Sequence, residues 1–154
     1  YGSSHANLTG IIAFAPAGDP VSFTGIPVVR QSVQKAESEI AAGNGGNLMQ
    51  FNDFVLGRAL PVEARPADFV TFYGPESPGV LTRTIPNLTA PLLWVAGTRD
   101  SSQRNAKSLF SKAPEDTLNR FVTVRAGHIG TPDAAFDAIL DWLDALEKRP
   151  DSAG

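Results

Sequence analysis

The segment Leu92-Leu93-Trp94-Val95-Ala96 is apolar at every position. A strand with one wet face would alternate, so an unbroken run points to a strand covered on both sides, as in a parallel sheet. A second strand is expected over Asn119 to Arg125. Between the two lies room for a helix, which Ser101 or Ser102 can cap and which would run to about Lys112. Beyond the second strand, Thr131-Pro132-Asp133 reads as a helix start: a hydroxyl cap, proline at the first helical position and an acid in the first turn. Phe136, Ile139, Leu140, Leu143 and Leu146 then recur at steps of three and four, the spacing of a core-facing helical stripe. Strand, helix, strand, helix over residues 91–148 requires a crossover connection and a mostly parallel sheet with helices on both faces. The expected class is α/β.

The first half of the chain is less regular. Leu8 to Ala15 is a short apolar run stopped by Pro16-Ala17-Gly18-Asp19-Pro20, and reads as a further strand of the same sheet. Val29, Val33, Ala36 and Ile40 predict a helix over residues 28–42, closed by the Gly- and Asn-rich stretch 43–47. From Leu48 to Glu63 the apolar residues Phe51, Phe54, Val55 and Leu56 follow no single period; Gly57-Arg58 allows a hairpin, and an irregular excursion fits as well. Residues 65–73 suit a short helix starting at Pro66, or an extended segment given their β-branched and aromatic content. Gly74 to Pro78 reads as a loop, and the tail 151–154 as frayed.

Composition excludes several function classes. A formal charge of −3 gives no electrostatic case for DNA, RNA or an anionic membrane. No apolar run approaches the ~20 residues that span a bilayer. The absence of Cys removes disulfides, thiol nucleophiles and thiolate metal sites. Two His, at 5 and 128, argue against a histidine metal centre. No cofactor or metal is expected.

The chemistry concentrates at two strand ends. Leu92 to Ala96 runs into Gly97-Thr98-Arg99-Asp100, and Phe121 to Arg125 runs into Ala126-Gly127-His128. One end delivers an acid and the other an imidazole, the orienter and the base of a nucleophile–histidine–acid triad. His128 can take and return a proton near neutral pH, and Asp100 can fix its tautomer and stabilise the imidazolium. The plainer alternatives are a turn histidine holding backbone groups and an aspartate capping the next helix. Asp116 and Asp133 are weaker acid candidates: Asp116 lies in a polar loop and Asp133 suits a helix start. Gly97 and Gly127 would relieve tight geometry at the strand ends. Trp94 and Trp142 read as core, and His5 as inert. Phe54 and Tyr73 would line a pocket if residues 26–80 form a lid, but packing explains them as well.

The segment Pro91 to Asp100 resembles the acid-bearing strand and turn of α/β-hydrolases, and Ala126-Gly127-His128 with its following helix resembles that family's histidine loop. Ile11 to Ala17 resembles the strand after the nucleophile-bearing helix. The order acid, then histidine, matches the family. The resemblance covers most of residues 8–147 and is weakest over 26–80, where the family inserts lid and pocket elements. It implies that residues 1–150 form the C-terminal half of one α/β-hydrolase domain, with a small lid-like insertion.

No Gly-x-Ser-x-Gly occurs in the chain. Ser3 and Ser4 stand too close to the strand at 9–15 for an elbow and a helix to intervene, and residues 1–5 read instead as the end of that helix or the loop after it. The nucleophile and the oxyanion-hole donors would then come from a complementary N-terminal polypeptide of the same protein. Three functions are compatible with this: a serine-type hydrolase of an ester or related acyl bond, a dehalogenase or epoxide hydrolase with an Asp nucleophile, and a non-catalytic binding protein of hydrolase-like fold. The sequence does not choose between a cytoplasmic and a secreted setting.

Overall fold

The structure is a computed structural model and describes residues 2–3, 5, 7–16, 18–55, 57–74 and 76–149. The readings made for Tyr1, Ser4, Ala17, Leu56, Pro75 and 150–154 fall outside these. The chain divides into two compact units, residues 1–18 with 82–154, and residues 19–81.

The larger unit is built on three strands: β1 (Ile11–Phe14), β4 (Leu92–Gly97) and β5 (Arg120–Val124). They lie in the order β1-β4-β5, all parallel. β4 sits in the middle with every residue buried, which is why it carries no polar alternation. Leu93 and Val95 face helix α6 (Phe136–Glu147) and pack with Ala135, Trp142 and Leu146. Trp94 lies on the opposite face of the strand, where its indole N–H donates to Gln103 Oε1 at 3.3 Å. On that side Phe110, in helix α4 (Ala106–Phe110), meets Phe121 of β5 with ring centroids 5.4 Å apart. The expected α/β class, parallel sheet and two covered faces are therefore found. β1 and β5 are the sheet's edges among the described residues. Ala15, just after β1, has φ 38°, and its N–H still donates to Val95 O at 2.8 Å. That conformation costs an L-residue about 1–2 kcal/mol.

Three local expectations need correction. No single helix runs from Ser101 to Lys112: a 3-10 turn at Ser101–Gln103 precedes the short α4. The turn is capped by Asp100, whose carboxylate accepts from Ser102 N–H, and not by either serine. Second, Thr131 is not a cap. It is the first residue of a one-turn helix, α5 (Thr131–Ala134), is fully buried, and its hydroxyl donates to Gly127 O at 2.8 Å. Third, the stripe expected along α6 divides. Ile139 and Leu146 face the sheet beside Trp142, while Phe136, Leu140 and Leu143 are exposed. Trp142 anchors the helix: its ring is buried and its N–H donates to Leu118 O at 2.6 Å.

The smaller unit contains a 3-10 turn (Pro20–Gly25), helix α1 (Pro27–Ala41), the antiparallel pair β2 (Met49–Val55) and β3 (Arg58–Ala64), and helix α2 (Pro66–Tyr73). The short helix α3 (Leu81–Thr84) follows at the boundary between the units. Of the two readings open for 48–63, the hairpin is the one observed. Val55 pairs with Arg58, and Gly57 takes φ 84°, a conformation that glycine adopts without steric cost. Of the two open for 65–73, the helix is observed, with Pro66 in its first turn, where no N–H is needed. Val29, Ala36, Phe51, Phe69 and Tyr73 form the core, with Phe51 and Phe69 stacked 4.6 Å apart. Ile40 is exposed, so the expected face of α1 narrows toward its end. Asp19 Oδ1 accepts from Leu81 N–H at 2.6 Å and ties the two ends of this unit together. Among the described residues, no helix is long and apolar enough to cross a membrane.

Candidate active site

The acid and the imidazole meet because the β4–β5 ladder continues past the strand ends. Thr98 N–H donates to Val124 O at 2.8 Å, and Arg99 N–H donates to Ala126 O at 3.0 Å. These bonds hold the acid turn against the histidine loop. Gly97 permits the approach: a Cβ there would lie 2.5 Å from Ala126 O and 2.8 Å from Thr131 Oγ1. The matching expectation for Gly127 fails. A Cβ at that position would meet nothing within 4 Å, so packing does not demand glycine there.

His128 Nδ1 lies 2.7 Å from Asp100 Oδ2. The Asp100 side chain is 6% exposed and the His128 side chain 47%, so the acid is sheltered and the imidazole is open to incoming groups. With the carboxylate ionised, Nδ1 is the protonated nitrogen of the pair, because a carboxylate only accepts. The other ring nitrogen, Nε2, makes no hydrogen bond among the described residues. It is therefore the atom able to accept a proton.

Asp100 serves two partners at once. Oδ2 takes His128, while Oδ1 accepts from Ser102 N–H at 2.9 Å and from Ser102 Oγ at 2.7 Å. One oxygen thus caps the following turn, and the other lies against the imidazole. Burial pushes its carboxyl pKa up, but the hydrogen bonds from Ser102 and His128, with the attraction of the imidazole charge, outweigh burial and hold it below its ordinary value. The carboxylate stays ionised and, through Oδ2, fixes the orientation of the imidazole.

Sequence reasoning missed Ser102 and Gln103 as supports. Gln103 Nε2 donates to Ser102 Oγ at 3.0 Å and to Pro16 O at 2.9 Å, which fixes the acid turn against the end of β1. Only the Asp-x-Ser spacing, which suits a side-chain-capped turn, could have signalled Ser102. The two weaker acid candidates lie in other roles. Asp116 accepts from Leu118 N–H at 2.9 Å and pairs with Arg149 at 3.1 Å. Asp133 occupies the first turn of α5. Trp94 and Trp142 are core residues, as expected. Tyr73 is buried and its hydroxyl donates to Asp53, in the smaller unit's own core. Among the described residues no cluster of three or more His, Cys, Asp or Glu side chains could hold a metal ion.

No family model and no curated protein matches the chain. Among the solved structures similar to it are two of bacterial proteins. One is a protein of Agrobacterium vitis S4 named as a hydrolase, with 16% identity and a TM-score of 0.46 over 89% of this chain and 49% of that one. The other is the enol-lactonase of Burkholderia xenovorans LB400, with 14% identity and a TM-score of 0.43 over 93% of this chain and 59% of that one. The chain thus spans about half the length of each. In its own topology, parallel strands end in an acid and then a histidine, and this arrangement resembles the C-terminal portion of the α/β-hydrolase fold.

Proposed function

We propose that this chain supplies the base and the acid of a serine-type hydrolase acting on an ester or related acyl bond. The observation that carries the reading is the 2.7 Å contact from Asp100 Oδ2 to His128 Nδ1, made at the ends of two adjacent parallel strands with Nε2 left open. In the reaction, a serine hydroxyl attacks the carbonyl carbon while His128 Nε2 takes its proton. His128 then returns that proton to the leaving alcohol, and water releases the acyl group by the same steps in reverse order of partners. Asp100 stays ionised throughout and stabilises the imidazolium.

The serine belongs to a complementary N-terminal polypeptide. Two observations support this. The outer edge of β1 has no strand partner among the described residues. Phe14, Ile129, Phe136, Leu140 and Leu143, all in the larger unit, are exposed apolar side chains of the kind an interface covers. Residues 26–80 would serve that enzyme as lid or pocket wall.

The test is hydrolysis of short-chain aryl esters by the full-length natural polypeptide, by its His128→Ala variant and by residues 1–154 alone. Turnover by the full polypeptide, abolished in the variant and absent from the isolated chain, is the expected pattern. Full activity in the variant would end the proposal for the pair. Turnover by the isolated chain would end the proposal for an external nucleophile.

A further inference from the structure

A cavity of about 520 Å³ opens at the C-terminal ends of β4 and β5, on the α4 side of the sheet. Open α/β sheets bind ligands outside the carboxyl ends of their strands. Ala96 of β4 and Phe121 of β5 give its lining an apolar part. Arg99, Arg104 and Lys107 line it as well. None of these three makes an ion pair among the described residues. In a chain of formal charge −3, three unpaired cations around one concavity are a local reversal of sign. Asp100 is the one acid in the lining, and its two oxygens already face His128 and Ser102. The positive charge is therefore left for something else to neutralise.

We propose that this cavity binds a small organic anion, a carboxylate carried on an apolar body. The apolar part sits over Ala96 and Phe121, and the carboxylate meets the guanidinium and ammonium groups of Arg99, Arg104 and Lys107. Arginine suits this role because its planar fork matches the two oxygens of a carboxylate. The site stands whether or not the Asp100–His128 pair is catalytic, since none of the three cations belongs to that pair.

The test is a titration of the 15N-labelled chain with benzoate, with benzamide as its uncharged counterpart and with inorganic phosphate as an anion lacking an apolar body. Benzoate is expected to shift the amide signals of Thr98, Arg104 and Thr123 saturably, and to bind at least about tenfold more tightly than benzamide or phosphate, the discrimination worth about 1.4 kcal/mol. Arg104→Gln with Lys107→Gln should weaken benzoate by a similar factor, and so should Arg99→Gln alone. Arg30→Glu, a charge change on the exposed face of α1, should leave it unaltered. All of these positions are exposed, so a retained dispersed spectrum verifies folding in each variant. Benzamide or phosphate binding as tightly as benzoate would overturn the proposal, as would benzoate shifts that persist in the Gln variants.

Discussion

Asp100→Asn separates the charge of the acid from its shape. The asparagine carbonyl can keep the two donors of Ser102, at 2.9 and 2.7 Å, which leaves the NH2 group facing His128 Nδ1. A donor now meets a donor, so the neutral imidazole must move its proton to Nε2 and turn Nδ1 into an acceptor. Hydrogen bonds to an ionised group contribute about 1.5–3 kcal/mol and neutral ones about 0.5–1.5 kcal/mol. Weakening three such bonds, offset by the relief of no longer burying a charge, gives a net cost of about 1–2 kcal/mol at neutral pH. The sign with pH follows from the lowered carboxyl pKa. The acid's contribution is complete above its ordinary value of about 3.9 and is lost as pH falls through the lower folded value. The gap between wild type and variant should therefore close in that acid range. Under the proposed function, turnover should fall on the order of 10⁴-fold, the scale expected when the wrong tautomer is held. With two histidines in the chain, imidazole 15N spectra can be assigned from His5→Gln alone. Urea denaturation can follow Trp94 and Trp142, both in the unit that carries the pair. An unchanged His128 tautomer in the variant would refute the reasoning, and so would a stability difference that persists undiminished at low pH.

Other substitutions test the supports of the site. Gly97→Ala forces a methyl against Ala126 O and should cost about 1–3 kcal/mol by thermal denaturation, with chemical-shift changes at His128. Trp142→Phe removes the bond to Leu118 O and part of the core beneath β4, so a loss of about 2–4 kcal/mol is expected in urea. Burial and the neighbouring Asp53 raise the Tyr73 phenol well above its ordinary pKa. Its contribution is thus present below about pH 10 and is lost as pH rises toward the elevated folded value. Tyr73→Phe should lose about 1.5–3 kcal/mol near neutral pH and lack that alkaline component, as read by denaturation at a series of pH values.

The parts of the fold that could be read in advance are those where one physical demand acts alone. β4 is buried on both faces, so its residues had no reason to alternate, and Leu92 to Ala96 announced a strand covered on both sides. The acid and histidine turns were placed by the strand ends, and Gly97 marked the close approach at the first of them. Where two demands compete, periodicity was not enough. Along α6, Phe136-Leu140-Leu143 and Ile139-Trp142-Leu146 are both spaced at three and four, and spacing does not say which row meets the sheet. At residues 100–112, Asp100 spends its capping oxygen on Ser102 N–H, and the chain takes a 3-10 turn before α4 where a continuous helix was expected. The supports from Ser102 and Gln103 depend on which atoms face each other after folding, and residue type alone did not disclose them. The cationic cavity arises in the same way: Arg99, Arg104 and Lys107 are ordinary surface residues until the turn and α4 bring them around one concavity.

The central claim is that Asp100 and His128 serve a nucleophile lying outside these 154 residues. Its most direct test is to treat the full-length natural polypeptide with an organophosphonate and locate the adduct by peptide mass mapping. The account predicts a single labelled serine in sequence preceding residue 1, with labelling lost in His128→Ala. A label on a residue within 1–154, or labelling that is indifferent to His128, would contradict it.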